Sequence, residues 1–134
     1  MAKLISIERI GPVNAKKLQQ AGVRSANSLL QVGATPEGRR ELANRAGFSS
    51  STVLEWVNRA DLMRIEGVGE EFSDLLEASG VDTVVELGQR NPAGLCRQLK
   101  GTNSEKKLVR RLPSAEQVAD WVSHARKLPR KVSY

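Results

Sequence analysis

IERIGPVNAKKLQQAGV at 7–23 and IEGVGEEFSDLLEASGV at 65–81 are two copies of one pattern, and their reading decides the fold. The spacing between them is constant: Ile7 pairs with Ile65, Gly11 with Gly69, Leu18 with Leu76 and Gly22 with Gly80. In each copy an apolar residue leads into a glycine-containing turn. A short amphipathic helix follows, and a second glycine stops it.

The repeat extends outward from these stretches. After the first copy, Ser25 caps a helix over 26–32, with Leu29 and Leu30 inward. Thr35-Pro36 opens another helix, which ends at Gly47. A fourth starts near Ser49–Ser51, reaches about Leu62, and carries Val53, Trp56, Val57 and Ala60 on one face. The second copy repeats the order. Thr83 and Glu86 form a capping box before a short helix, and Asn91-Pro92 matches Thr35-Pro36. Ser114 and Gln117 form a further capping box. It opens a last helix to about Leu128, whose Val118, Trp121, Val122 and Ala125 match the earlier quartet. Only GTNSEKKLVRRLP, a basic insertion at 101–113, interrupts the correspondence; it reads as a loop with a short helix over 105–112.

Gly67-Val68-Gly69, then Ser73 and Leu76, fit the pattern of a helix–hairpin–helix motif. The first copy fits through Ile10, Gly11, Ala15 and Leu18, with Arg9 in place of the first glycine. The chain, with its repeated Trp helix and the run EWVNRADLMRIEGVGEEFSDLLEASGVDTV, resembles over nearly its whole length a bacterial family known as domain of unknown function 4332. The expected fold is all-α: one compact domain over 1–134, built of two helix–hairpin–helix repeats at 7–64 and 65–128. A hairpin needs a helix ahead of it, and the first copy has none in sequence. The C-terminal helix is therefore expected to pack back on the first hairpin, giving pseudo-two-fold symmetry, or to do so between chains in a swapped dimer.

Charge separates the two copies. The 134 residues carry a net +6. Residues 97–134 hold ten Lys/Arg and three Asp/Glu; residues 7–64 hold nine and five; residues 65–88 hold seven acidic groups and no basic one. A polyanionic partner suits the basic parts. In the wider helix–hairpin–helix superfamily the resemblance implies a hairpin that holds a DNA phosphate without reading sequence. Backbone N–H groups at a glycine turn and helix N-terminus supply the anion site. The first copy offers Arg9, Ile10, Gly11, Asn14, Lys16 and Lys17 for this role. In the second, Glu70 and Glu71 take the first helical turn and repel phosphate, so Gly67, Val68 and Gly69 read as a structural hairpin.

The other candidate phosphate contacts are Lys106, Lys107, Arg110 and Arg111, whose two pairs are four apart and so able to form one helical stripe, with Arg126, Lys127, Arg130 and Lys131 beyond them. Their blander role is a solvated surface facing the acidic stretch 65–88. The two tryptophans read as core rather than base-stacking platforms. His124 reads as a surface or capping residue, Cys96 as a small buried hydrophobe, and Asp82 as a cap. One cysteine leaves no internal disulfide and fits a reducing cytoplasm. No cofactor, metal site, membrane span or catalytic constellation is expected. The expected function is non-specific binding of double-stranded DNA. The alternative is a protein-interaction or homodimerisation module that uses the acidic 65–88.

Overall fold

Helix punctuation written into the sequence recurs in the structure, a computed structural model that describes residues 10–134. Among these, eight helices and no strand occur: α1 (Gly11–Gln20), α2 (Ala26–Val32), α3 (Pro36–Ala46), α4 (Ser50–Leu62), α5 (Glu70–Ala78), α6 (Val84–Gly88), α7 (Pro92–Lys106) and α8 (Ala115–Lys127). The fold is all-α, as the sequence leads one to expect. No helix among the described residues is long and apolar enough to cross a membrane. The chain divides into two compact units. Of the described residues, the first unit holds 10–61 with Lys131–Tyr134, and the second holds Leu62–Arg130.

In the first unit, α1 buries Ala15 and Leu18 and ends by hydrogen bonding. Gly22 N–H donates to the Gln19 carbonyl at 3.0 Å and Val23 N–H to Leu18 at 2.9 Å. These bonds satisfy carbonyls that a helix end otherwise leaves open. Ser25 and Ser28 cap α2 reciprocally, and the Thr35 hydroxyl caps α3 by accepting from Gly38 N–H. On α4 the expected quartet Val53, Trp56, Val57 and Ala60 is buried, with Phe48 edge-on to Trp56 at 4.8 Å. The C-terminal tail completes this unit. Val132 is buried, Ser133 N–H donates to Ala34 O at 2.8 Å, and the Tyr134 hydroxyl donates to Asn58 Oδ1 at 2.9 Å. Arg39 holds both sides of the seam. Its Nη1 donates to the Gly33 carbonyl at 2.9 Å and its Nη2 to Ser133 at 2.8 Å. Burial pushes the Arg39 pKa below the usual arginine value, yet a guanidinium stays charged in water-accessible pH ranges.

The second unit repeats the helix ending. Gly80 N–H reaches Glu77 O at 3.0 Å and Val81 N–H reaches Leu76 O at 2.9 Å. Its core gathers Leu75, Leu76 and Leu87 with Leu95 and Leu99 of α7 and Val118, Trp121 and Val122 of α8. Each large apolar side chain so buried contributes roughly 1.5–3 kcal/mol. Helix α8 packs on α6 and α7, and Phe72 lies 5.1 Å from Trp121.

Three expectations are corrected here. The insertion is not a loop with its own helix at 105–112. Helix α7 runs on through it to Lys106 and stops where Lys107 turns left-handed, at φ 51°. The following segment is non-helical and ordered by Asn103, whose side chain accepts from Val109 N–H at 2.9 Å and donates to Val109 O at 3.1 Å. Secondly, α8 belongs to the second unit through its buried Trp121 face. What enters the first unit from the C-terminal region is the tail, Lys131–Tyr134. Thirdly, Cys96 is half-buried at the margin of the core rather than inside it.

Candidate nucleic-acid interface

The two glycine turns differ in backbone. Ahead of α5, Gly67 is left-handed at φ +90° and Gly69 is extended at φ −102° as the N-cap. Position 67 corresponds to Arg9, where a left-handed backbone costs a side-chain-bearing residue about 1–2 kcal/mol. In the first copy the left-handed residue is Gly11, the first residue of α1, at φ +71°, and the N-cap Ile10 is in the helical region and buried. Arg9, and Ile7 with it, lie outside the described residues.

The second turn is packed from behind. A Cβ on Gly67 would come within 3.2 Å of Trp121 Nε1. His124 Nδ1 accepts from Glu66 N–H at 3.3 Å, so its capping role is to a turn rather than to a helix. Glu66, Gly67, Gln117, Asp120, Trp121 and His124 line a surface cavity of about 440 Å³ with two carboxylates and no Lys or Arg. Glu70 and Glu71 are exposed in the first turn of α5. Val68 is buried. Apart from Gln117 and His124, the surroundings of Gly67, Val68 and Gly69 are therefore apolar packing and negative charge, a poor setting for phosphate.

Around α1 the picture reverses. Lys16 and Lys17 are exposed and Asn14 is half-buried. Lys17 Nζ lies over the Phe48 ring, 5.7 Å from its centre, within cation–π range. Lys16, Gln19, Gln20 and Arg24 line an open surface cavity of about 510 Å³. Gln19, Gln20 and Arg24 are absent from the residues the motif selects, because the motif ends at the turn and these lie at the other end of the helix.

In the second unit, Lys106, Lys107, Arg110 and Arg111 are exposed. They do not form the expected stripe on one helical face, since only Lys106 is helical. Lys107, Arg110 and Arg111 instead follow it on the non-helical segment clamped by Asn103. Lys127, the last residue of α8, and Arg130 beyond it are exposed, with Arg64 Nη2 donating to Pro129 O at 2.9 Å and Arg126 Nε to Gly88 O at 2.9 Å. Lys131, also exposed, is the first residue of the tail in the other unit. No group of three or more His, Cys, Asp and Glu that could hold a metal occurs among the described residues.

A family model described as a domain of unknown function, DUF4332, matches residues 8–128. The chain belongs to this family. The match runs from the first glycine turn to the end of α8, so it takes in all eight helices of this DUF4332 chain and leaves out the tail Lys131–Tyr134. No curated protein and no solved structure matches the chain.

Proposed function

We propose that this DUF4332 chain is a tandem helix–hairpin–helix module that binds double-stranded DNA without sequence preference, holding phosphates with the first copy and with the basic segment after α7. The observation that carries the reading is that segment: Lys106, Lys107, Arg110 and Arg111 are exposed together on a backbone fixed by the two Asn103 bonds to Val109. Four cations held on an ordered loop lose less side-chain and backbone freedom on binding than cations on a loose one. Each phosphate they neutralise releases counterions, which gives affinity without base contacts. The glycine turn of the second copy supports the fold and takes no phosphate. Catalysis has no part in the reading. Titration of a labelled duplex at low and at moderate salt tests it, and absence of binding at low salt contradicts it.

A second reading, a protein-interaction or self-association module, is favoured by the acidic cavity at Glu66 and Asp120. It fits a cationic segment of another protein, or the basic segment of a second copy. Light scattering across ionic strength separates the two: a monomer at every concentration and salt counts against self-association.

A further inference from the structure

We propose that the first unit takes DNA phosphates in the groove lined by Lys16, Gln19, Gln20 and Arg24, at the C-terminal end of α1, and not at the glycine turn ahead of it. The inference rests on the DNA-binding reading above and says where in the first copy that contact lies.

The turn is poorly built for an anion. A helix N-terminus holds phosphate through successive free N–H groups, and Pro12, at the second position of α1, has none. The buried Ile10 precedes it, and Val13, 70% exposed, presents an apolar surface where the phosphate would lie. No cation stands between Ile10 and Ala15.

The far end of α1 has what the turn lacks. Lys16 and Arg24 supply two charges, and Gln19 and Gln20 supply amide donors between them, all four exposed around one cavity. No acidic residue occurs in 10–36. The partial negative charge of a helix C-terminus would ordinarily oppose a phosphate. Here carbonyls of the last turn are taken: Lys17 O accepts from Ala21 N–H, Leu18 O from Ala21 and Val23, and Gln19 O from Gly22, while Arg45 Nη1 donates to Ala21 O at 3.2 Å.

The second copy serves as an internal comparison. At the constant spacing, Lys16 corresponds to Asp74, Gln19 to Glu77, Gln20 to Ala78 and Arg24 to Asp82. One helical face thus carries opposite charge in the two copies. It is also closed in the second. Asp74 is buried, and α7, 15 residues against 11 in α3, reaches Ser79 through a bond between the Ser79 and Thr102 hydroxyls at 3.0 Å. Ser79 corresponds to Ala21, which the shorter α3 reaches through Arg45 and leaves half-buried.

The test compares wild-type chain, Lys16→Gln with Arg24→Gln, Lys16→Asp with Arg24→Asp, and Asn14→Ala, each checked for native helicity by circular dichroism. Duplex affinity is measured from about 50 to about 200 mM salt. Both positions are exposed and the second copy carries Asp at each, so both pairs fold. The proposal expects the neutral pair to bind roughly tenfold more weakly, with a salt slope shallower by about two, one per lost phosphate contact. The Asp pair binds more weakly still; Asn14→Ala probes the glycine turn, and a loss there as large as that of the neutral pair overturns the groove. Wild-type binding with an unaltered slope in the neutral pair overturns the groove and leaves the DNA reading standing. No wild-type binding at the lowest salt overturns both.

Discussion

Arg39 Nη2 donates to the Ser133 carbonyl at 2.8 Å, joining residues far apart in sequence. The same guanidinium serves Gly33 O and lies 5.7 Å from the centre of the Tyr134 ring. Replacing it with Met keeps the bulk and leaves two carbonyls without their charged donor. Hydrogen bonds to charged groups are worth about 1.5–3 kcal/mol each, so Arg39→Met is expected to destabilise the first unit by about 2–4 kcal/mol. Tyr134→Phe, which loses the bond to Asn58, costs about 0.5–1.5 kcal/mol. Urea unfolding followed by hydrogen exchange in α2 and α3 reads both. Equal midpoints for Arg39→Met and wild type would show that the tail is not fastened this way.

Gly67 and Gly101 separate backbone strain from helix propensity. Gly67→Ala puts a side chain on a left-handed residue, with Trp121 Nε1 at 3.2 Å, and should cost about 2 kcal/mol or more. Gly101 lies inside α7 with nothing within 4 Å of a Cβ. Gly101→Ala should therefore stabilise the chain by about 0.5–1 kcal/mol. Thermal melts of the two variants should move in opposite directions, and a shift in the same direction contradicts the account of the turn.

Asn103 orders the basic segment without contributing charge. Asn103→Ala removes both bonds to Val109. Amide exchange at 107–111 is expected to accelerate. Duplex affinity should fall roughly three- to tenfold with the salt slope unchanged, because the cations remain and only their pre-organisation is lost. An unchanged exchange rate in this segment would mean that other contacts hold it.

The two reciprocal caps offer a matched pair. Ser25 and Ser114 each accept from the backbone N–H three residues on, at 3.1 Å, while that residue's side chain returns a bond to the cap backbone. Ser25→Ala and Ser114→Ala should each cost about 1 kcal/mol. Chemical denaturation measures them, and a cost below about 0.3 kcal/mol in both would show that the caps are redundant.

Local chemistry explains what the sequence makes legible. The quartets at Val53 and Val118 have helical spacing and are buried because spacing alone puts them on one face. Ser25, Thr35, Asn91 and Ser114 cap helices because their side chains compete for the backbone donors next to them. Glu86 departs slightly: its carboxylate accepts from Asp82 N–H, while the Thr83 hydroxyl caps as expected. The end of α7 is illegible because Lys107 has no glycine to announce a left-handed turn. The reach of Arg39 to Ser133 is invisible because nothing local records a partner at that separation. Gln19, Gln20 and Arg24 escape a reading organised around the glycine turn, although the pairing of Lys16 with Asp74 and Arg24 with Asp82 is written in the constant repeat spacing.

The measurement that bears most directly on the central claim is the salt dependence of duplex binding by wild type and by the variant in which Lys106, Lys107, Arg110 and Arg111 are all replaced by Ala. The account predicts wild-type binding that weakens steeply with salt, and a slope in the variant shallower by about three to four, with native helicity retained. Wild type that binds no duplex at low salt, or a variant whose slope matches wild type, contradicts it.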